Sequence, residues 1–189
     1  FMLEKMSNSS LHHFVQFLEM AGKLKRTPRA GWVKVGIKQP ESVADHIFRT
    51  TILCMIYADM EDLDQRKVLR MALIHDLPEA ITGDLTPSKK TAESKEKEDA
   101  AIKQILNFLP KRQGEEYMII WNEYEEGKTR EAQAVRQLEK LEMALQAIEY
   151  EKAGVTSQSL KRFIESAEKA ITWTDIRRLL SCILEEKEQ

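Results

Sequence analysis

Two histidines in this sequence stand next to an aspartate, and this combination is suited to holding a metal ion. His46 follows Asp45 at the start of a long apolar run, and His75 precedes Asp76 at the end of another. Imidazole nitrogens together with carboxylate oxygens bind divalent transition metals such as Mn²⁺, Fe²⁺, Co²⁺, Ni²⁺ and Zn²⁺. These residues therefore indicate metal coordination by His46, His75 and Asp76.

The His-Asp pair is weak evidence when it is taken alone. A histidine beside an apolar helix is more often a core residue, and Asp76 could simply cap the turn that contains Pro78, with Glu79 completing a capping box. Adjacent helical residues also point about 100° apart. His75 and Asp76 can therefore reach one ion only where their helix ends, and Pro78 favours such an end.

The segment after the pair concentrates polar side chains directly behind an apolar run. Met71–Ile74 is apolar, and polar groups follow it closely: His75, Asp76, Glu79, Thr82 and Asp84. Such groups are costly to bury unless they are paired or bound to a metal. Their concentration here favours a functional site.

A further ligand is expected from a predicted helix over residues 129–153, whose outward face is narrow. Glu139, Glu142 and Glu149 fall toward its apolar side, where an unpartnered carboxylate is expensive. From the residues alone, any of the three could bind the metal. A salt bridge to a basic neighbour is the alternative explanation for at least two of them.

The composition is that of a globular protein with a sizeable core. Of 189 residues, 42% are hydrophobic and 32% charged, and no apolar run reaches membrane-spanning length. The net charge of −2 argues against a partner that is a nucleic-acid polymer. Cys54 and Cys182 both lie in apolar runs, so we expect two buried free thiols, as in a cytoplasmic protein.

The apolar spacing is helical, and no period-two strand pattern is present. We therefore predict an all-α bundle that forms a single domain over 1–189. Ser9 or Ser10 is expected to cap the first helix, and 114–126 is expected to be a later one. The stretch 86–99 is either a loop or an exposed helix start. The C-terminal helices, about 157–187, complete the core or bury a dimer face.

The helix that carries His46 has a clear start. Ser42 and Asp45 form a variant of the capping box, and Asp64 can cap the helix that leads to His75. Because Ile47–Met60 is apolar almost all round, we expect this helix to be central and buried.

The segment 23–40 reads as an irregular connection and is strongly basic. It contains six basic residues and no acidic one before Glu41: Lys23, Lys25, Arg26, Arg29, Lys34 and Lys38. The segment is either a solvated basic loop or a source of positive potential for an anionic ligand.

Four stretches resemble a known family when they are taken in order. LKRTPRAGW, PESVADH, ALIHDLPEAITGDLTP and QLEKLEMALQAIEYE are similar to the HD-domain phosphohydrolases, and most like their 5′-deoxynucleotidase branch. The resemblance spans about residues 24–151. It implies an all-α HD domain, usually a homodimer, with one divalent metal ion (Co, Mn, Ni, Zn, Fe or Mg). It also implies hydrolysis of (deoxy)nucleoside 5′-monophosphates.

The resemblance also implies roles for particular residues. His46, His75 and Asp76 match three metal ligands of the family, and Glu139 occupies the position of a fourth ligand that is an aspartate there. Two acidic residues and one arginine match the catalytic and phosphate-binding positions: Glu79, Asp84 and Arg26. Thr27 departs from the family pattern, because bacterial members often carry tryptophan at that position.

Two other functions remain open at this stage. An HD-type enzyme could act on a nucleoside triphosphate or a phosphodiester, although such enzymes usually carry larger substrate-binding segments. A non-catalytic helical binding module with a relic metal site is the second alternative, and glutamate at position 139 is the feature that favours it. The presence of Glu79 and Asp84 counts against a relic.

Overall fold

The computed structural model describes residues 7–187, with side chains through residue 185. Within that range the chain forms helices, and its only β-type pairing is an isolated antiparallel bridge between Pro28 and Ser42. The all-α prediction is therefore confirmed. The predicted single domain over 1–189 includes residues 1–6 and 188–189, which lie outside the described residues, and the domain assignment stays a prediction.

The α-helices follow one another with short connections. They are α1 (Asn8–Lys23), α2 (Ala30–Lys34), α3 (Val43–Met60), α4 (Gln65–Ile74), α5 (Glu79–Thr82), α6 (Ala92–Leu106), α7 (Lys111–Glu126), α8 (Arg130–Lys152), α9 (Ser157–Ala170) and α10 (Thr174–Lys187). Single 3-10 turns at Leu24–Arg26 and Pro87–Lys89 complete the described elements.

The caps predicted for α3 and α4 are confirmed. Ser42 and Asp45 form a reciprocal capping box at the start of α3, and the Asp64 side chain accepts from the N–H of Lys67 at the start of α4. The connection over 23–40 is less irregular than expected, because it contains a 3-10 turn and α2.

The starts of α1 and α6 resolve two points that the sequence left open. Ser7 caps α1, since its side chain accepts from the N–H of Ser10, so the expectation of Ser9 or Ser10 was wrong. In the stretch 86–99, Thr91 caps α6 with its own capping box. The second half of that charged stretch is therefore helix.

The start of α7 was predicted too late in the chain. The helix begins at Lys111, directly after Pro110, and Gly114 lies inside it. A Cβ at position 114 would stand 2.9 Å from the carbonyl oxygen of Leu106. The glycine therefore permits close approach of the end of α6 and does not mark a helix boundary.

The core is built around α8, which packs against α3, α4, α7, α9 and α10. The C-terminal helices supply buried side chains to this core, and these include Leu160, Phe163, Ala167, Ile171, Ile176 and Leu180. Of the two roles considered for these helices, completion of the core is the one observed.

One face of α3 is apolar and exposed, so the expectation of a fully buried helix was wrong. Phe48, Ile52, Met55, Ile56 and Met60 lie on this face, and Phe48 and Met60 are 69% and 75% exposed. Their spacing of four, seven, eight and twelve residues from Phe48 places them on one side of the helix. We call this set the α3 stripe.

Neither cysteine forms a disulfide. Cys54 is buried as expected, but Cys182 is exposed on α10, so only one of the two thiols belongs to the core. None of the helices among the described residues combines the length and apolar character needed to cross a membrane.

Candidate metal centre and active site

The N-terminus of α3 is fixed in place by the chain that precedes it. The N–H of Arg29 donates to the carbonyl of Glu41 at 3.0 Å, and the N–H of Val43 donates to the carbonyl of Thr27 at 2.8 Å. These two bonds flank the Pro28–Ser42 bridge. They hold the basic segment against the first turn of α3, which carries His46.

The end of α4 brings His75 and Asp76 together. α4 ends at Ile74, and the N–H of Leu77 turns back to the carbonyl of Ile74 at 3.0 Å. This bond spans three residues, and the turn is therefore tighter than a turn of α-helix. Oδ2 of Asp76 lies 3.3 Å from Nε2 of His75 and 3.8 Å from Nε2 of His46. Both histidines therefore face one carboxylate oxygen, as the metal-site prediction requires.

The two histidines are held through their other ring nitrogens. Nδ1 of His46 contacts Oε2 of Glu142, and Nδ1 of His75 lies 2.8 Å from the carbonyl oxygen of Ala72. A carbonyl oxygen can only accept a hydrogen bond, so Nδ1 of His75 carries a proton, and in the neutral ring Nε2 presents its lone pair. Both side chains are at most 1% exposed.

The three glutamates of α8 separate into two groups. Glu142 and Glu149 both pair with Arg49, at 2.9 and 2.5 Å. Glu139 instead faces the site, with Oε2 3.7 Å from Nε2 of His75. Glu139 also has a basic partner, Lys140, so each of the three carboxylates is in a salt bridge, where the sequence suggested one for at least two.

Glu139 stands beside the ligand set and is held there by neighbours. Its Oε2 accepts from the hydroxyl of Tyr124 at 2.6 Å, and Oε1 lies 2.9 Å from Nζ of Lys140. Burial works to raise the pKa of Glu139, but Lys140 and His75 outweigh it and lower the pKa to about 2. These contacts favour the charged form of the carboxylate beside the ligand set.

Electrostatics act in opposite directions on the two histidines of the site. Burial lowers the pKa of His46, and Arg29 lowers it further. Burial opposes protonation of His75 as well, but Asp76 prevails and raises the pKa of that ring. Asp76 keeps its charge because His75 and Arg29 outweigh its burial and hold its pKa well below the ordinary value.

Glu79 and Asp84 line the same cavity as His46 and Asp76. Gly83 has a φ of 71°, which favours glycine, and this turn directs Asp84 back so that its Oδ2 accepts from the N–H of Ala30 at 2.5 Å. Burial, with Asp76 and Asp84 close by, raises the pKa of Glu79 to about 11. Glu79 is therefore a neutral acid beside two carboxylates.

Arg29, and not Arg26, is the arginine that enters the cavity. Nη1 of Arg29 lies 3.1 Å from Oδ2 of Asp76 and 3.6 Å from Oδ1 of Asp84. Arg26 is exposed on its 3-10 turn and is not among the residues that line the cavity. The phosphate-binding role predicted for Arg26 stays a prediction, and Arg29 is a site residue that the sequence did not single out.

Other cavity residues were also missed from the sequence. They include Trp32, Lys90, Tyr124, Lys140, Met143, Phe163 and Ser166. Most lie on helices that bury an ordinary apolar face, so their spacing in the sequence does not distinguish them from core residues. Only the pairing of Pro28 with Ser42 distinguishes Arg29 from Arg26, and that pairing is not local in sequence.

The residues present fit a divalent cation. His46, His75 and Asp76 each offer a ligand atom, and the three atoms lie within 4.8 Å of one another. Nε2 of His75 and Oε2 of Glu79 are buried without a hydrogen-bond partner among the described residues. Buried polar atoms without partners are rare in folded proteins, and a cation at this point would engage the free Nε2.

The chain is similar to known proteins over most of its length. The family model described as HD domain matches residues 21–177. The Xenopus laevis protein named 5′-deoxynucleotidase HDDC2 is 37% identical over 175 residues, which is 92% of this chain and 87% of that protein.

Two solved structures share the fold over nearly the whole chain. A Pyrococcus horikoshii protein superposes with a TM-score of 0.74 at 32% identity, covering 91% of this chain and 94% of its own. A predicted metal-dependent phosphohydrolase from Magnetospirillum magnetotacticum gives 0.72 at 26% identity, covering 95% and 93%. The helical frame, the His and His-Asp cluster and these matches together show that the chain belongs to the HD-domain family.

Proposed function

We propose that this protein is a metal-dependent 5′-deoxynucleotidase, which converts deoxyribonucleoside 5′-monophosphates and water to nucleoside and phosphate. The observation that carries the proposal is the convergence of His46 and His75 on Asp76, in the cavity that also holds Glu79. The match to proteins named 5′-deoxynucleotidases, at 34–42% identity over most of the chain, supports this substrate class.

The proposed ligands are His46, His75 and Asp76, with Glu139 as the fourth. When bound, one divalent ion would polarise the phosphate and lower the pKa of a coordinated water. The ligand set suits Co²⁺, Mn²⁺, Ni²⁺, Zn²⁺, Fe²⁺ or Mg²⁺, and metal analysis of the untreated protein identifies the resident ion.

The remaining site residues have distinct proposed tasks. Glu79, kept neutral by its surroundings, donates a proton to the leaving 5′-oxygen of the nucleoside. Asp84 orients the attacking water or the sugar. Arg29 supplies a planar fork for the phosphate oxygens. Arg26 adds positive charge outside the cavity, as part of the basic segment that attracts a dianion.

A reconstitution assay tests this function directly. The protein is stripped with a chelator, reloaded with one metal at a time, and assayed for phosphate release from deoxyribonucleoside and ribonucleoside monophosphates. Nucleoside triphosphates and a phosphodiester are included in the panel. We expect release from the deoxynucleoside monophosphates with at least one metal. Release only from the triphosphates or the diester would contradict the proposal, and so would no release at all.

We further propose that the protein is a homodimer and that the α3 stripe is buried between the two copies. The stripe is a contiguous apolar face on one helix, and such faces mark interaction surfaces more often than free surface. A second copy can present the same face in a self-complementary contact. The cytoplasm is the proposed compartment, since the two free cysteines suit a reducing environment.

A further inference from the structure

Glu142 is a charged residue at the centre of the molecule that the proposed reaction does not use. It lies on α8 and is 0% exposed. A carboxylate removed from water in this way is strongly unfavourable unless its charge and its hydrogen-bonding capacity are both satisfied. The partners of its two oxygens therefore indicate why it is there.

Each oxygen of Glu142 has its own partner. Oε1 faces the guanidinium of Arg49, with Nε at 3.0 Å and Nη2 at 2.9 Å. Among the described residues, Oε2 has one hydrogen-bond partner, Nδ1 of His46. Arg49 therefore compensates the charge at one oxygen and leaves the other free to accept from the histidine.

Arg49 is itself fixed by two further residues of α8. Nη1 donates to Oε1 of Glu149 at 2.5 Å, and Nη2 donates to Oε1 of Gln146 at 2.7 Å. Because these acceptors are spaced four and seven residues after Glu142, they lie on the same face of α8. The guanidinium therefore cannot turn away from Oε1 without losing bonds along the helix.

The hydrogen bond from Nδ1 determines which nitrogen of His46 is available. A carboxylate only accepts, so Nδ1 must carry the proton, and a neutral ring then keeps its lone pair on Nε2. That Nε2 is the atom directed at Asp76. A carboxylate behind a metal-binding histidine fixes the ring orientation and raises the basicity of the ligating nitrogen.

The two histidines of the site differ in this respect. His75 donates to a neutral backbone carbonyl, that of Ala72, whereas His46 donates to a charged carboxylate. A hydrogen bond with an ionised partner is stronger than a neutral one. His46 is therefore the ligand whose donor strength depends on a side chain and can be changed by substitution.

We propose that Glu142, neutralised by Arg49, is a positioning residue that fixes His46 in the Nδ1–H form and strengthens Nε2 as a metal ligand. This inference rests on the proposed metal site, since it assigns Glu142 a role behind one of its ligands.

The first experiment measures the tautomer without metal. The ring nitrogens of the protein labelled with ¹⁵N-histidine are recorded by NMR after chelation, and only four histidines contribute. We expect His46 to be neutral with the proton on Nδ1. In Glu142→Gln, Arg49 will attract the amide oxygen and turn the amide NH₂ toward Nδ1, so the proton should move to Nε2. A wild-type ring protonated on Nε2 would overturn the proposal even if the variant fails to fold.

The second experiment measures metal affinity by competition with a chelator of known affinity. Glu142→Gln is expected to weaken binding by about 10- to 100-fold, the effect typical of outer-shell partners. Glu149→Gln is the matched control, because Glu149 shares Arg49 but is 55% exposed and does not contact His46. Its metal affinity should equal that of the wild type, because the amide oxygen of glutamine still accepts from Arg49, and Arg49 therefore stays on Glu142.

The outcomes separate this inference from the proposed function. If the wild type binds metal and Glu142→Gln binds it equally well, the role of Glu142 is refuted and the metal site stands. If the wild type binds no divalent metal, the site itself is refuted, whereas the tautomer measurement still decides whether Glu142 orients His46.

Discussion

At the scale of single residues, the site depends on which basic and acidic groups reach the cavity. The sequence identified His46, His75, Asp76 and Glu79 because their types and their place at helix ends are visible in the chain. It did not distinguish Arg29 from Arg26. Both lie in one basic segment, and which of them faces inward is decided by a backbone pairing with residues that follow the segment.

Arg29→Ala should reduce kcat/KM more than Arg26→Ala does. Loss of a hydrogen bond to a charged group costs about 1.5–3 kcal/mol, which corresponds to roughly a 10- to 150-fold reduction. Steady-state kinetics on a deoxynucleoside monophosphate measure both variants, and metal content shows that the site is intact. A larger loss in Arg26→Ala would contradict this assignment and would support Arg26 as the phosphate-binding residue, as the family resemblance implied.

We expect Glu79 to make the metal-free protein less stable as the pH rises. Its folded-state pKa is raised above the ordinary value of 4.5, so between these two values the folded state binds more protons than the unfolded state does. Stability is then lost with increasing pH across that window. Thermal unfolding of chelated protein between pH 5 and 9 should show a smaller decline for Glu79→Gln than for the wild type. Equal slopes would contradict the neutral state of Glu79.

At the scale of the helices, two N-caps of the same chemistry differ in what they support. Ser42 caps α3, whose first turn carries His46, whereas Ser7 caps α1, which carries no proposed ligand. The capping residues at 42 and 64 were predictable from local sequence. The start of α7 at Lys111 was not predictable in this way. Gly114 was taken as a boundary, but its role depends on contact with the end of α6.

Ser42→Ala should reduce both stability and metal affinity. Loss of an N-cap costs about 0.5–2 kcal/mol, and fraying of this turn displaces His46. Ser7→Ala should reduce stability by a similar amount and leave metal affinity unchanged. Denaturant unfolding and chelator competition measure the two properties, and an equal loss of affinity in both variants would disprove a local effect.

At the scale of the whole molecule, the all-α frame follows from helical periodicity, but the environment of each helix face does not. The run in α3 was apolar enough to predict burial on every side, yet the α3 stripe is exposed in a single copy of the chain. Periodicity reports that a face is apolar and does not identify what covers it. The same holds for Cys182, whose apolar neighbours suggested a core position.

Phe48→Glu should convert the proposed dimer to a monomer, because it places a buried, unpaired charge in an apolar contact. Ile119→Glu is the control, since Ile119 is also an exposed apolar residue, at 65%, but it lies on α7. Light scattering after size-exclusion chromatography gives the mass of each. A monomeric wild type would remove the dimer proposal, as would dissociation of both variants.

The backbone pairing around Pro28 and Ser42 has a consequence for how the site opens. Its two flanking hydrogen bonds join the segment that carries Arg29 to the turn that carries His46. Neither part can move away from the other without breaking these bonds. Local opening of native proteins occurs in cooperative units, and here one unit would contain the anion-binding arginine and a metal ligand together. The amides of Arg29 and Val43 should therefore exchange with solvent deuterium at a common rate, and metal should slow both equally.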